Sequence, residues 1–249
     1  MINVIGDIII DEYWYGETTR VSPEAPVPIV DLSRKKISLG AAGNVYMNIR
    51  MLSDKVALHG YYDRAHGYIF DQLEATGNLM VTEQMPHKIR VFSGSHYMSR
   101  VDVEKTIEED DVQDKFFVPN QFDVVVLSDY NKGTVKDPQA IIKKSKRTIV
   151  DPKVSLDKYK GAFILKPNLK EFEDYIGRKT SPKSLMSEAQ RLRHVLDIDP
   201  KGCCMWGTLS SIIVQPLRKS MMLQEQGTRS LPRLHMGYII ICRFKMLLF

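Results

Sequence analysis

Residues 122–176 read FDVVVLSDYNKGTVKDPQAIIKKSKRTIVDPKVSLDKYKGAFILKPNLKEFEDYI, and the rhythm of that stretch decides the fold class. Val124 to Leu127 is a continuous apolar run of strand length, the pattern of a strand buried on both faces. Pro138 to Lys146 is a helix. Thr148 to Val150 is a second strand and closes on Asp151-Pro152-Lys153, and Ala162 to Leu165 is a third and closes on Pro167-Asn168. Lys170 to Ile176 and Pro182 to Leu196 are helices. Strands alternating with helices predict an α/β fold, a mostly parallel sheet with helices on both faces.

Working outward toward the N-terminus, Asn3 to Ile10 reads as one more buried strand. Tyr13 to Leu32 differs: aromatic and β-branched residues mix with Pro23, Pro26 and Pro28, the mark of extended edge strands and turns. The small residues Gly40 to Gly43 open a helix that runs to Leu52, Val56 to Tyr62 is a strand, and Tyr68 to Ala75 is a helix. Lys88 to Val103 alternates, as a half-exposed antiparallel pair does. The two extended stretches are expected to form a small sheet of their own, apart from the main one.

The 249 residues suffice for one sizeable core. With 43% hydrophobic and 26% charged residues, the composition is that of a globular protein. The formal charge is +5, but acids and bases interleave, and no basic tract is long enough to suggest a nucleic-acid or membrane arm. A mild basic excess suits phosphate-bearing substrates. The three cysteines, Cys203, Cys204 and Cys242, have no metal-ligand spacing, and no signal peptide precedes Val4. The expected location is the cytoplasm.

In an open α/β sheet, ligands gather at the carboxyl ends of the strands, so polar residues directly after apolar runs carry the chemistry. Asp7 and Asp11 flank the first strand end, where paired carboxylates could accept hydrogen bonds from vicinal sugar hydroxyls. The plainer reading makes Asp7 a turn cap and Asp11 a solvated acid. Gly40 to Asn44 would let a backbone approach a ligand closely and present helix N-terminal amides, although small residues also serve packing there. Lys88 and Arg90, with His87, lie on the alternating segment and could clamp a phosphate. Asn168 and Glu171 are one helical turn apart, which suits holding hydrated Mg²⁺ near phosphates; a helix cap with an acidic first turn is the bland alternative.

Taken together, these stretches resemble one family. The run Gly6-Asp7-Ile8-Ile9-Ile10-Asp11, then Val21-Ser22-Pro23-Glu24-Ala25-Pro26-Val27-Pro28, is similar to the start of heptose-7-phosphate kinase domains in the ribokinase (pfkB) superfamily. Gly40-Ala41-Ala42-Gly43-Asn44-Val45 resembles that family's Gly-Gly-Ala-Ala-Asn-Val with small residues rearranged. Leu127-Ser128-Asp129-Tyr130-Asn131-Lys132-Gly133, Asp151-Pro152-Lys153 and Pro167-Asn168-Leu169-Lys170-Glu171 follow in family order. The resemblance covers about residues 2 to 200. It implies a ribokinase-like core over residues 1–200 with a β-sheet lid from about 12–36 and 86–104, and a carbohydrate kinase, a phosphotransferase with an alcohol group as acceptor. ATP and Mg²⁺ are the implied cofactors. Asp7, Asp11, Gly40 and Asn44 would hold the sugar, Lys88 and Arg90 would face it from the lid, and Asn168 with Glu171 would bind the nucleotide phosphates, Glu171 touching Mg²⁺ indirectly. The lid is a candidate homodimer surface; neither nucleic acid nor membrane is an expected partner.

The family's second signature, Asp-Val-Thr-Gly-Ala-Gly-Asp-Thr, carries the anion hole and the catalytic base, and no such string stands in this sequence. Residues 201–249 also lack the strand and helix rhythm. Methionine has the single codon ATG, so the shifted frame across Met221-Met222 spells aspartate. Each later junction through Thr228-Arg229 permits the next residue of the signature. The reading favours an out-of-frame tail from about residue 200, with no catalytic residue in the chain as written. Three functions follow in order: an ATP-dependent kinase for a heptose 7-phosphate, on the route to ADP-heptose and the lipopolysaccharide core; a related kinase for another sugar; and a non-catalytic sugar-binding remnant.

Overall fold

A computed structural model describes residues 1–107, 123–145, 147–153 and 155–198. The out-of-frame tail expected beyond residue 200 lies outside the described residues.

The first strand, β1 (Ile2–Gly6), is buried along its whole length. It lies between β4 (Val56–Asp63) and β8 (Val124–Ser128) and pairs in parallel with both. Beyond them lie β5 (Leu79–Thr82) on one side, and β9 (Arg147–Asp151) and β10 (Ile164–Leu165) on the other. The order is β10-β9-β8-β1-β4-β5, parallel throughout. Alternation along β8 explains why the sheet is covered twice: Val125 and Leu127 enter one core cluster, Val124 and Val126 the other. Helices α1 (Ala42–Arg50) and α2 (Gly67–Gln72) pack Tyr46, Ile49 and Phe70 on the second face. Helices α3 (Pro138–Lys144), α4 (Leu169–Ile176) and α5 (Pro182–Val195) pack Ile142, Phe172 and Leu192 on the first. The doubly covered, mostly parallel sheet expected from the sequence is the one observed.

The separate small sheet is present too, with larger strands. Its members are β2 (Ile8–Val21), β3 (Pro28–Ala41), β6 (His87–Ser93) and β7 (His96–Val103), ordered β3-β2-β6-β7. The expected strand Asn3 to Ile10 is in fact two, because the chain changes sheets at Asp7. Gly6 makes that exit: a Cβ on it would stand 2.1 Å from the Ser128 carbonyl oxygen. Ile8 and Ile10 stay buried, as their β-branched run implied, but at the joint where the second sheet meets the core.

The link from β3 to α1 is strained. Ala41 stands at φ 49°, ψ −125°, a conformation that L-residues adopt at a cost. Replacing Ala41 by Gly removes the Cβ clash, and Ala41→Gly is expected to stabilise the chain by about 1 kcal/mol in denaturant unfolding. Inside the main sheet, buried His59 accepts the Asn78 backbone N–H at Nδ1 (3.1 Å), so its Nε2–H donates to Asn3 Oδ1 (3.1 Å). Burial lowers its pKa from 6.5 to about 4. Between those values the unfolded chain binds the extra proton, so stability falls with falling pH. Unfolding titrations should show a loss of about 2 kcal/mol between pH 7 and pH 5, reduced in His59→Gln.

Candidate functional site

The carboxyl ends of β1, β8 and β9 meet below the second sheet, and Asp7 organises the meeting. Its side chain is fully buried. Oδ2 accepts the backbone N–H of Tyr130 (2.7 Å) and Lys132 (3.0 Å), and Oδ1 that of Thr134 (3.1 Å). Burial pushes the Asp7 carboxyl above the ordinary range while those amides pull it down. The bonds are those of the plainer reading, a carboxylate that caps a turn: Asp7 holds the loop after β8 in place from beneath.

Asp11 lies further along, on β2, and remains partly accessible. Its Oδ1 accepts Arg90 Nη1 at 2.6 Å. Gly40 leaves the room for this: a Cβ there would sit 2.2 Å from Asp11 Oδ2. Parallel pairing sets Asp11 beside Lys88 and Tyr13 beside Arg90, so those residues share one face of the second sheet, and the Arg90 guanidinium stacks over the Tyr13 ring at 5.2 Å. His87 falls on the other face, its Nε2 2.9 Å from the buried Glu12 carboxylate, and is separated from the two cations it was grouped with. Asn44 lies exposed in the first turn of α1, where its backbone carbonyl accepts from Asn48 Nδ2 at 2.9 Å. The structure thus joins Asp11, Gly40 and Arg90 by contact, with Lys88 on the same face.

Asn168 and Glu171 form a complete capping box at the start of α4. Asn168 Oδ1 accepts the Glu171 N–H at 2.9 Å, and Glu171 Oε2 accepts the Asn168 N–H at 2.7 Å. The remaining oxygen, Oε1, receives Lys153 Nζ at 2.6 Å. Lys153 also lies 5.0 Å over the Tyr130 ring. Tyr130 links the two ends of the cleft: burial raises its pKa, and the Asp151, Glu171 and Asp11 carboxylates raise it further against Lys153. Beside it, Asp129 Oδ2 accepts the Tyr159 hydroxyl at 2.6 Å, and Lys166 pairs with Asp151 at 2.7 Å. The sequence marked Lys153 and Tyr130 as strand-end residues but assigned them no role; their position directly after β9 and β8 was the available signal.

Both Glu171 oxygens are engaged, and among the described residues no cluster of three or more His, Cys, Asp or Glu is arranged to hold a metal ion. Asn168 and Glu171 offer hard oxygen donors, the type that suits a hydrated Mg²⁺ carried by a phosphate. Among the described residues no helix is long and apolar enough to cross a membrane.

No family model matches the chain. It is 37% identical over 213 residues to the bifunctional protein HldE of Psychromonas ingrahamii, an alignment covering 79% of this chain and 45% of that protein. The chain thus spans under half the length of the curated relatives it matches. Among solved structures, phosphofructokinase-2 from Escherichia coli, in complex with substrates and products, superposes with a TM-score of 0.67 at 16% identity, covering 88% of this chain and 76% of that one. Arabidopsis thaliana ribokinase, complexed with ribose and ATP, superposes at 0.60 and 15% identity, covering 85% and 73%. The doubly covered parallel sheet with its small second sheet is the ribokinase-like fold these solved kinases share, and the sequence similarity to HldE falls on the same chain.

Proposed function

We propose that the chain is an ATP-dependent kinase unit for a heptose 7-phosphate, working in the cytoplasm on the way to ADP-heptose and lipopolysaccharide. The observation that carries this reading is the Asp11–Arg90 pair seated against Gly40, with Lys88 on the same face, in a chain 37% identical to an HldE protein. Asp11 offers an oriented carboxylate to sugar hydroxyls, and Arg90 keeps guanidinium N–H groups for a substrate phosphate, with Lys88 as a second cation. Asp7 supports the site by fixing the loop that carries Tyr130. Asn44, exposed in the first turn of α1, would add an amide to the sugar end.

At the nucleotide end, Asn168 and Glu171 would hold the hydrated Mg²⁺ of ATP, which neutralises phosphate charge when bound. Catalysis of this class is mainly positioning and charge stabilisation, completed by a base for the attacking hydroxyl. Without the Asp-Val-Thr-Gly-Ala-Gly-Asp-Thr string, the chain as written binds both substrates and turns over poorly. The face of the second sheet that bears Asp11 continues into a ladder of Tyr13, Tyr15, Phe92 and Tyr97, with Tyr15 and Phe92 5.3 Å apart, and this is the surface through which a homodimer would form.

Two measurements test the reading. Asp11→Asn is expected to weaken heptose 7-phosphate binding about tenfold or more in calorimetry while leaving ATP affinity unchanged, since it removes one charge-assisted acceptor from the sugar end alone. Equal loss of both ligands would point to misfolding. Restoring the reading frame near codon 200 should raise ATP-dependent phosphorylation by roughly 10²–10⁴-fold, the contribution of a general base. Full turnover by the unaltered chain would refute the out-of-frame tail; a well-folded restored chain without turnover would refute the kinase assignment.

A further inference from the structure

The Lys153–Glu171–Tyr130 cluster carries an inference that rests on the kinase reading and deepens it. A cavity of about 400 Å³ opens between the segment after β9 and helix α4, lined by Lys153, Asp157, Glu171, Asp174 and Tyr175 among others. Three of these are carboxylates, and Lys153 is the one cation among the described residues that line it. An unscreened triphosphate would be repelled everywhere in this cleft except at that ammonium.

The ammonium is also held in place. Glu171 grips it at 2.6 Å, and the capping box in turn fixes Glu171. The Tyr130 ring, itself positioned by the Asp7 bond to its backbone N–H, supports it from the other side at 5.0 Å. The Lys153 side chain is 36% exposed, so an anion can reach it. Burial alone would push its pKa down, but the Glu171 bond and the neighbouring carboxylates outweigh that and keep it charged. A lysine ion-paired to an acid usually lies on a protein's outer surface; this one lies at the strand ends, over the tyrosine that also feels Asp11.

We propose that Lys153 is the phosphate-contacting cation of the nucleotide end, held ready by Glu171 and Tyr130 and turned from the Glu171 carboxylate to a terminal phosphate oxygen of ATP on binding. No bond is made or broken in this step; one charge-assisted hydrogen bond replaces another.

The test is equilibrium binding of ATP and of adenosine to the chain as it stands, with EDTA and with Mg²⁺, compared among Lys153→Met, Lys153→Arg and the parent. In EDTA, Lys153→Met should lose at least about tenfold in ATP affinity, as expected for one lost charge-assisted contact, while adenosine binding and the unfolding midpoint hold. Lys153→Arg should regain most of the loss, and Mg²⁺ should narrow the gap by screening the carboxylates. Parent-like ATP affinity in Lys153→Met overturns the inference and leaves the kinase reading standing. Equal loss of ATP and adenosine assigns Lys153 a structural role and also overturns it. Failure of the parent to bind ATP at all removes the kinase reading and the inference with it.

Discussion

The Asp7 carboxylate accepts three backbone N–H groups from the loop after β8 in a place with no solvent exposure. Each side of that arrangement would be costly alone. Buried amides without acceptors forfeit their hydration, and a buried carboxylate without donors gives up its charge. Together they hold each other, but only in one register. Gly6 must pair with Ser128 so closely that no Cβ fits, and the chain must leave the main sheet at the next residue. That exit directs β2 into the second sheet and Asp11 toward the cleft. The same bonds fix the backbone of Tyr130, and through its ring the place of Lys153. The Asp11 end and the Lys153 end of the cleft are therefore both set by one buried side chain.

Period-two alternation does the next part of the work. Along β2 and β6, one face presents Asp11, Tyr13, Lys88 and Arg90, and the other presents Glu12, Trp14 and His87. The second set forms its own pairs on the face turned away from Asp11, His87 with Glu12 at 2.9 Å and Lys35 over Trp14 at 4.2 Å. The outer strand β3 carries Arg34-Lys35-Lys36, charges that discourage another chain from adding to that edge.

What the sequence made legible follows from burial. Strands covered on both faces are apolar at most positions, so β1, β4 and β8 stood out as runs despite buried Asn3 and His59. The edge strand β5, four residues long and only half-buried, left no such run and was not seen. The second half of β3 was hidden by its basic residues, because an edge strand facing solvent keeps no hydrophobic signature. The division of Ile8 to Ile10 from Asn3 to Gly6 was hidden for the opposite reason: both halves are buried, and hydrophobicity does not tell one sheet from another. At the site, Asp11, Gly40 and Arg90 were legible from their positions after strands and helix starts, and their contact is geometric fact. His87 could have been separated from Lys88 and Arg90 by parity alone.

The pair Asn168 and Glu171 shows why a structural and a functional reading of one motif need not compete. The capping box consumes Asn168 Oδ1 and Glu171 Oε2 on backbone N–H groups, the ordinary needs of a helix start. In doing so it removes the rotamer freedom of the glutamate, whose second oxygen then has one direction to point, at Lys153. A carboxylate that had to be ordered on ligand arrival would surrender part of the binding energy to that ordering; one already tied down by its own helix does not. A change of Glu171 to Gln keeps the cap and removes the charge, whereas a change to Ala removes both. The two substitutions together separate what the helix needs from what the cleft needs.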